Sequence, residues 1–281
     1  MAMIEQYEDS HVSVITLNDG EHGNLLSPEG LEELAAALHK SLDDPHMRAI
    51  LLRSNGPTFC VGMDLARLAA HAPRASRADA EKAVDRYASV LQTIFQAALP
   101  VVCLVEGEVK AGGVGLVCAC DIVVAGERAT FELGEVIFGL IPANVLPYML
   151  SLRLTPQKVR YLVMSSRRIS APEALRLNLV DEVVSRAEAE HRVRDIFKRL
   201  LCSSPDALAA VKEFTEDLLG ATPEEGSVLA RRRLLEMMHD PPTLEGVKAF
   251  QEGHVPAWFS RFRPSRPLVL SAAQEGKEGV R

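Results

Sequence analysis

The chain has 281 residues, 47% of them hydrophobic, and a formal net charge of −7. Length and apolar content allow one large domain with a substantial core, while the negative balance argues against general nucleic-acid binding, which needs a basic footprint. No apolar run approaches the roughly 20 residues of a membrane span, and the acidic start MAMIEQYEDSHVSV is not a signal peptide, so a cytoplasmic protein is expected.

In chain order, HVSVITL (11–17) alternates like a half-buried strand. Residues 27–44 open with Ser27 as a cap and Pro28 at the first helical position, then continue with helical apolar spacing. RAILLRS (48–54) is a strand ended by Asn-Gly-Pro, and FCVGMD (59–64) is a glycine-containing turn. A polar, Ala- and Arg-rich loop (69–79) leads into a helix near 79–97. The strand VVCLVEG (101–107) breaks at Gly107 and restarts as a helix at Gly112-Gly113. DIVVAG (121–126) and TFELGE (130–135) are further strands, and VLPYMLSLRLT and PQKVRYLVMSS are helical. Residues 170–184 read as a short helix, a turn at Asn178 and a strand. This alternation predicts an α/β core with parallel strands and right-handed crossovers. From Glu188 to about Phe262 the chain reads as helical, broken at Pro205, Pro223 and Pro241-Pro242. The Pro-, Gly- and charge-rich tail, 263–281, reads as disordered.

Five cysteines occur, and Cys118 and Cys120 form a C-x-C among apolar neighbours with no His pair nearby. They read as reduced thiols that pack as small hydrophobes, and no metal is expected. The two glycine turns carry more chemistry. Backbone N–H groups are unpaired at a helix start, and glycine lets another molecule approach them. Two such turns point to one site for an oxygen that develops negative charge.

The segments FCVGMDL, VVCLVEGEVKAGGVGLVCACDIVVAGERATFELGE, GLIPANVLPYML and ISAPEALRLNLVDEVV stand in the order and spacing of the enoyl-CoA hydratase/isomerase (crotonase) superfamily, which the chain resembles over roughly residues 10–200. AGGVGLV, GLIPANVLPYML and the late FQEGHVPAW are most similar to the hydroxymethylglutaryl-acyl-carrier-protein dehydratases of polyketide β-branching cassettes. The resemblance implies a crotonase-like spiral of ββα units over 1–200, a helical oligomerisation region over 201–262, and a homotrimer or dimer of trimers. It also implies an oxyanion hole from the backbone N–H groups of Met63 and Gly112, which would hold a thioester enolate. Family hydratases hold a water between two glutamates; Gly115 stands at the first of these positions and Glu135 at the second.

One carboxylate can still remove an α-proton and then protonate a departing hydroxyl. The expected reaction is therefore dehydration of 3-hydroxy-3-methylglutaryl to 3-methylglutaconyl on the phosphopantetheine of an acyl carrier protein or CoA, with no other cofactor. A Δ3,Δ2-enoyl-CoA isomerase using the same Glu135, or another enoyl-CoA hydratase-like enzyme, is the alternative within the family, and a non-catalytic binding subunit is the alternative outside enzymology. Asn144 could bind a hydroxyl or carboxylate, or cap the following helix. Asp64 could brace its turn or touch substrate, His71 could meet a distal carboxylate, and Lys110 a phosphate. Arg67, Arg74 and Arg77 with Lys110 would form a basic rim for an acidic carrier.

Overall fold

The computed structural model describes residues 2–63 and 77–270. Ten strands form two sheets. The larger has the order β1 (Ile4–Asp9), β2 (Val12–Leu17), β3 (Ala49–Ser54), β5 (Val101–Val105), β7 (Ile122–Gly126), β10 (Glu182–Val184). The smaller has the order β4 (Thr58–Cys60), β6 (Glu108–Lys110), β8 (Thr130–Glu132), β9 (Ile169–Ser170). Only β1–β2 and β8–β9 run antiparallel. Consecutive strands enter the large sheet and then the small one, and a helix closes the turn of the spiral. The chain thus runs β3–β4–α2 (Arg77–Phe95), then β5–β6–α3 (Gly112–Ala119), then β7–β8 followed by α4 (Leu146–Tyr148) and α5 (Pro156–Ser165). This is the α/β crotonase-like spiral that the resemblance implied.

The reason for the buried parallel sheet is written in the residues. β2, β3 and β5 are buried throughout and mostly apolar on both faces, with Ser13, Thr16, Arg53 and Ser54 as buried polar exceptions. Side chains alternate between two cores: Ile50, Leu52, Val101, Cys103 and Val105 face one, while Ala49, Leu51, Val102 and Leu104 face the other. The first core is covered by α1 (Pro28–Asp43), α2 and α3. The second is covered by Val193, Ile196, Phe197 and Leu201 of α7 (Arg186–Cys202). Between α5 and α7 lie β9, the short α6 (Ala171–Arg176) and β10.

Sequence periodicity missed β1, whose IEQYED has no apolar alternation; it is an edge strand held by backbone pairing to β2. It also missed the three-residue β6, too short to show a period. The C-terminal prolines start helices as much as they break them. Pro205, Pro223 and Pro241 are the first residues of α8 (Pro205–Asp217), α9 (Pro223–Met238) and α10 (Pro241–Gln251), behind the side-chain caps Ser204, Thr222 and Asp240.

The expectation of a disordered tail from Arg263 needs correction over 263–270. Leu268 is buried in the second core beside Phe262, and its carbonyl accepts from the Arg53 guanidinium at 2.5 Å. The backbone N–H groups of Leu268 and Val269 both donate to Glu190 at 2.8 Å. One buried apolar residue, Leu268, packed in the same core as Phe262, helps anchor a segment whose composition reads as disordered. Leu268→Ala is expected to cost about 2–5 kcal/mol of unfolding free energy, read by urea denaturation; a change within experimental error would mean the segment contributes nothing to the fold. Residues 271–281 lie outside the described residues. No helix of the described residues is long and apolar enough to cross a membrane.

Candidate active site

The turn after β4 is held from the α1 side. Asn24, itself buried in the left-handed conformation at φ 53°, donates to the carbonyls of Asn55 and Thr58 at 2.9 and 2.7 Å. Val61 N–H donates to Gly23 O and Leu26 N–H to Gly62 O. These bonds leave the Met63 N–H without a partner among the described residues.

The second turn abuts the first. Gly62 has φ +89°, and a Cβ there would stand 2.7 Å from the Gly112 nitrogen and 3.0 Å from the Ala111 Cβ. A Cβ at Gly113 would stand 2.5 Å from the Cys60 carbonyl oxygen. Glycine is thus demanded by close backbone approach, which is what lets β4 and the start of α3 touch. Ala111, just before α3, takes φ 46° and ψ −121°, a conformation that costs an L-residue on the order of 1–3 kcal/mol. It is held there by its N–H to Glu132 O and by Val114 N–H to its own carbonyl, both 2.9 Å. The strain sits at the residue whose peptide carries the Gly112 N–H, and that N–H also lacks a partner among the described residues.

Glu135 opens a short 3-10 turn after β8. Its Oε2 is shielded from solvent and accepts no hydrogen bond from any described residue. Burial pushes its pKa up from the ordinary 4.5, opposed only by its own backbone N–H. A carboxylate kept partly dry and unpaired is equipped to exchange protons. The neighbouring Glu132 is spent elsewhere: it pairs with Arg168, which also holds Glu108.

Not every expected contact is present. Lys110 pairs with Glu108 on its own strand at 2.8 Å, so its charge is already engaged. Asn144 does not cap the helix that follows; its Nδ2 donates instead to Val84 O of α2 at 3.3 Å. Asp64, Arg67, His71 and Arg74 lie outside the described residues, as does the side chain of Arg77, whose backbone opens α2. Of the thiols, Cys60 and Cys118 are fully buried and pushed up to about 12 by desolvation, so they serve as packing.

One group was missed by sequence reasoning. Tyr87 of α2 is 2% exposed and its hydroxyl donates to Gly112 O at 2.5 Å. Helical spacing with Leu91 and Ile94 marks it as core-facing, but nothing in the sequence discloses the partner of its hydroxyl.

Comparison with known proteins shows the family. The family model described as enoyl-CoA hydratase/isomerase matches residues 7–261. The carnitinyl-CoA dehydratase of Salmonella typhi is 34% identical over 225 residues, 78% of this chain and 84% of that protein. The carnitinyl-CoA dehydratase of Proteus mirabilis is 30% identical over 249 residues, 86% of this chain and 93% of that protein. Among solved structures, Pseudomonas aeruginosa AtuE superposes with a TM-score of 0.84 at 29% identity, covering 91% of this chain and 99% of that one. The enoyl-CoA hydratase of Mycobacterium smegmatis gives 0.84 at 28% identity, covering 92% and 99%. These relatives overturn the expected hydroxymethylglutaryl-carrier-protein dehydratase of polyketide β-branching. Three of the four are named for dehydratase or hydratase activity on a CoA thioester.

Proposed function

Because the chain belongs to the enoyl-CoA hydratase/isomerase family of enzymes, we propose that it dehydrates a 3-hydroxyacyl-CoA thioester through an enolate, with Glu135 as its single acid and base. The thioester carbonyl would accept the N–H groups of Met63 and Gly112, which lie at one junction of two glycine turns. As the α-proton leaves, negative charge moves onto that oxygen, where preorganised donors stabilise it most. Glu135 takes the α-proton, then gives it to the departing β-hydroxyl, so that water leaves and the 2-enoyl thioester remains. The observation that carries this reading is the solvent-shielded, unpartnered Glu135 Oε2, in a chain that has Gly115 where the resemblance implies a second carboxylate. The relatives named as dehydratases of a CoA thioester support the direction and the carrier.

The same single carboxylate also favours a second reading, a double-bond shift in which Glu135 returns the proton to the γ-carbon of a 3-enoyl-CoA. Family membership and the retained Glu135 set aside a non-catalytic subunit. Purified protein incubated with 3-hydroxybutyryl-CoA and, separately, with a 3-enoyl-CoA should form the 2-enoyl thioester from the first. Product from the 3-enoyl substrate alone would favour the isomerase. Product from neither, nor from longer and branched acyl chains, would reject both.

The C-terminal helices support an oligomeric assembly. Val228 and Leu234 of α9 and Phe250 of α10 are apolar and exposed, and such a surface calls for a covering partner. Residues 201–262 would then pack against sister subunits, which light scattering at micromolar concentration reads directly.

A further inference from the structure

We propose that Tyr87 is a positioning residue of the oxyanion turn, its hydroxyl holding the first peptide of α3 from the α2 side and filling the space that any side chain at residue 115 would need. The inference rests on the enolate reading above and names the group that keeps its donor in place.

Three observations carry it. The Tyr87 hydroxyl donates to Gly112 O at 2.5 Å; a carbonyl oxygen has two lone pairs, so this bond does not compete with the helix. A Cβ built on Gly115 would stand 2.1 Å from the same hydroxyl oxygen, far inside van der Waals contact. Tyr87 and a side chain at 115 therefore exclude each other. Third, α2 braces both halves of the site. One turn before Tyr87, the Val84 carbonyl accepts from Asn144, in the loop that follows Glu135. The next residue of that loop, Val145, has a methyl 3.1 Å from the same Cβ position at Gly115. Burial pushes the phenol well above its ordinary pKa, with the Glu135 charge among the groups acting in the same direction, so the hydroxyl stays a neutral donor.

A catalytic role in the strict sense is not implied, since the hydroxyl meets Gly112 and not a substrate. Its effect passes through the peptide geometry at the start of α3. Ala111 already holds a strained conformation there, and a strained turn needs a restraint on each side.

The test uses three variants of the full chain and one reaction that does not depend on the leaving group: exchange of the α-protons of butyryl-CoA in D2O, followed by NMR. Tyr87→Phe keeps the ring and deletes the donor. It should slow exchange at saturating thioester by roughly tenfold to a hundredfold, the scale of a small misplacement at a reacting centre. Half-saturation should move by less than about twofold, because binding of the CoA portion is untouched. Gly115→Ser alone should lower the melting temperature, because its Cβ meets the Tyr87 hydroxyl. The pair Tyr87→Phe/Gly115→Ser should recover most of both losses, since a helical serine can bond the carbonyl three residues back, which is that of Gly112.

Exchange by Tyr87→Phe within about twofold of wild type overturns the proposal. So does a Gly115→Ser variant as stable as wild type, or a double variant that recovers melting temperature but not exchange, which would make Tyr87 a packing residue only. If the wild type exchanges no α-proton, the enolate reading itself has failed and the positioning role falls with it. If the wild type exchanges and Glu135→Gln does not, a normal Tyr87→Phe removes this inference alone.

Discussion

Glu135→Gln is expected to lower kcat by about 10²–10⁴, the usual worth of a positioned acid–base group, with KM nearly unchanged. The amide keeps the size of the side chain and removes its capacity to take a proton, and Gly115 offers no carboxylate to replace it. The same group sets the pH profile. Its pKa is raised by burial, and the reaction needs it ionised, so kcat/KM should rise with pH and bend above the ordinary carboxylate value of 4.5. Stability runs the other way. With the folded pKa above the unfolded one, the folded state holds this proton more tightly, and that contribution is complete below the unfolded pKa and lost as pH rises through the folded one. The melting temperature of Glu135→Gln should therefore gain on that of wild type as pH crosses this window. A variant that keeps more than about a tenth of wild-type kcat would move the base elsewhere, with Asp64, His71 and Asn144 tested next.

Gly112→Pro should lower kcat by roughly 10²–10³ through loss of one oxyanion donor. Proline is tolerated at the first position of a helix, where the N–H makes no intrahelical bond, so α3 itself has no reason to unwind. Gly112→Ala is the control. It keeps the N–H and adds a Cβ that would meet the Tyr87 hydroxyl at 3.2 Å, a contact the phenol can relieve by a small shift. Turnover of the alanine variant should lie much closer to wild type than that of the proline variant. Equal losses in the two would assign the effect to crowding against Tyr87 and would leave the N–H without a demonstrated role.

The comparisons correct the finer reading of function and show the family. AGGVGLV and IPANVLP contain Gly115 and Asn144, in the part of the chain where the proposed enolate chemistry would take place. What distinguishes one acyl chain or carrier from another is contact with the far end of the substrate. Arg67, Arg74 and Arg77, on which the carrier expectation leaned together with Lys110, lie in or beside a segment with little pattern to read.

What the sequence by itself determined were the elements whose signal is local. The apolar runs of β3 and β5 imply a sheet buried on both faces, and Pro28 behind Ser27 marks the start of α1. The glycines at 62, 112 and 113 in their turns, with Glu135 after its short strand, marked the candidate site. Tertiary structure decided the rest, because it depends on pairs distant in the chain. The edge strand β1 exists through its register with β2, and residues 263–270 are ordered because Arg53 and Glu190 receive them. Lys110, which the sequence offered to a phosphate, is held in an ion pair with Glu108. Gly115, which in the sequence is merely an absent carboxylate, turns out to be space already taken by the Tyr87 hydroxyl from another helix. Such exclusion is a property of two backbones brought within van der Waals reach, and no periodicity along a single chain encodes that distance.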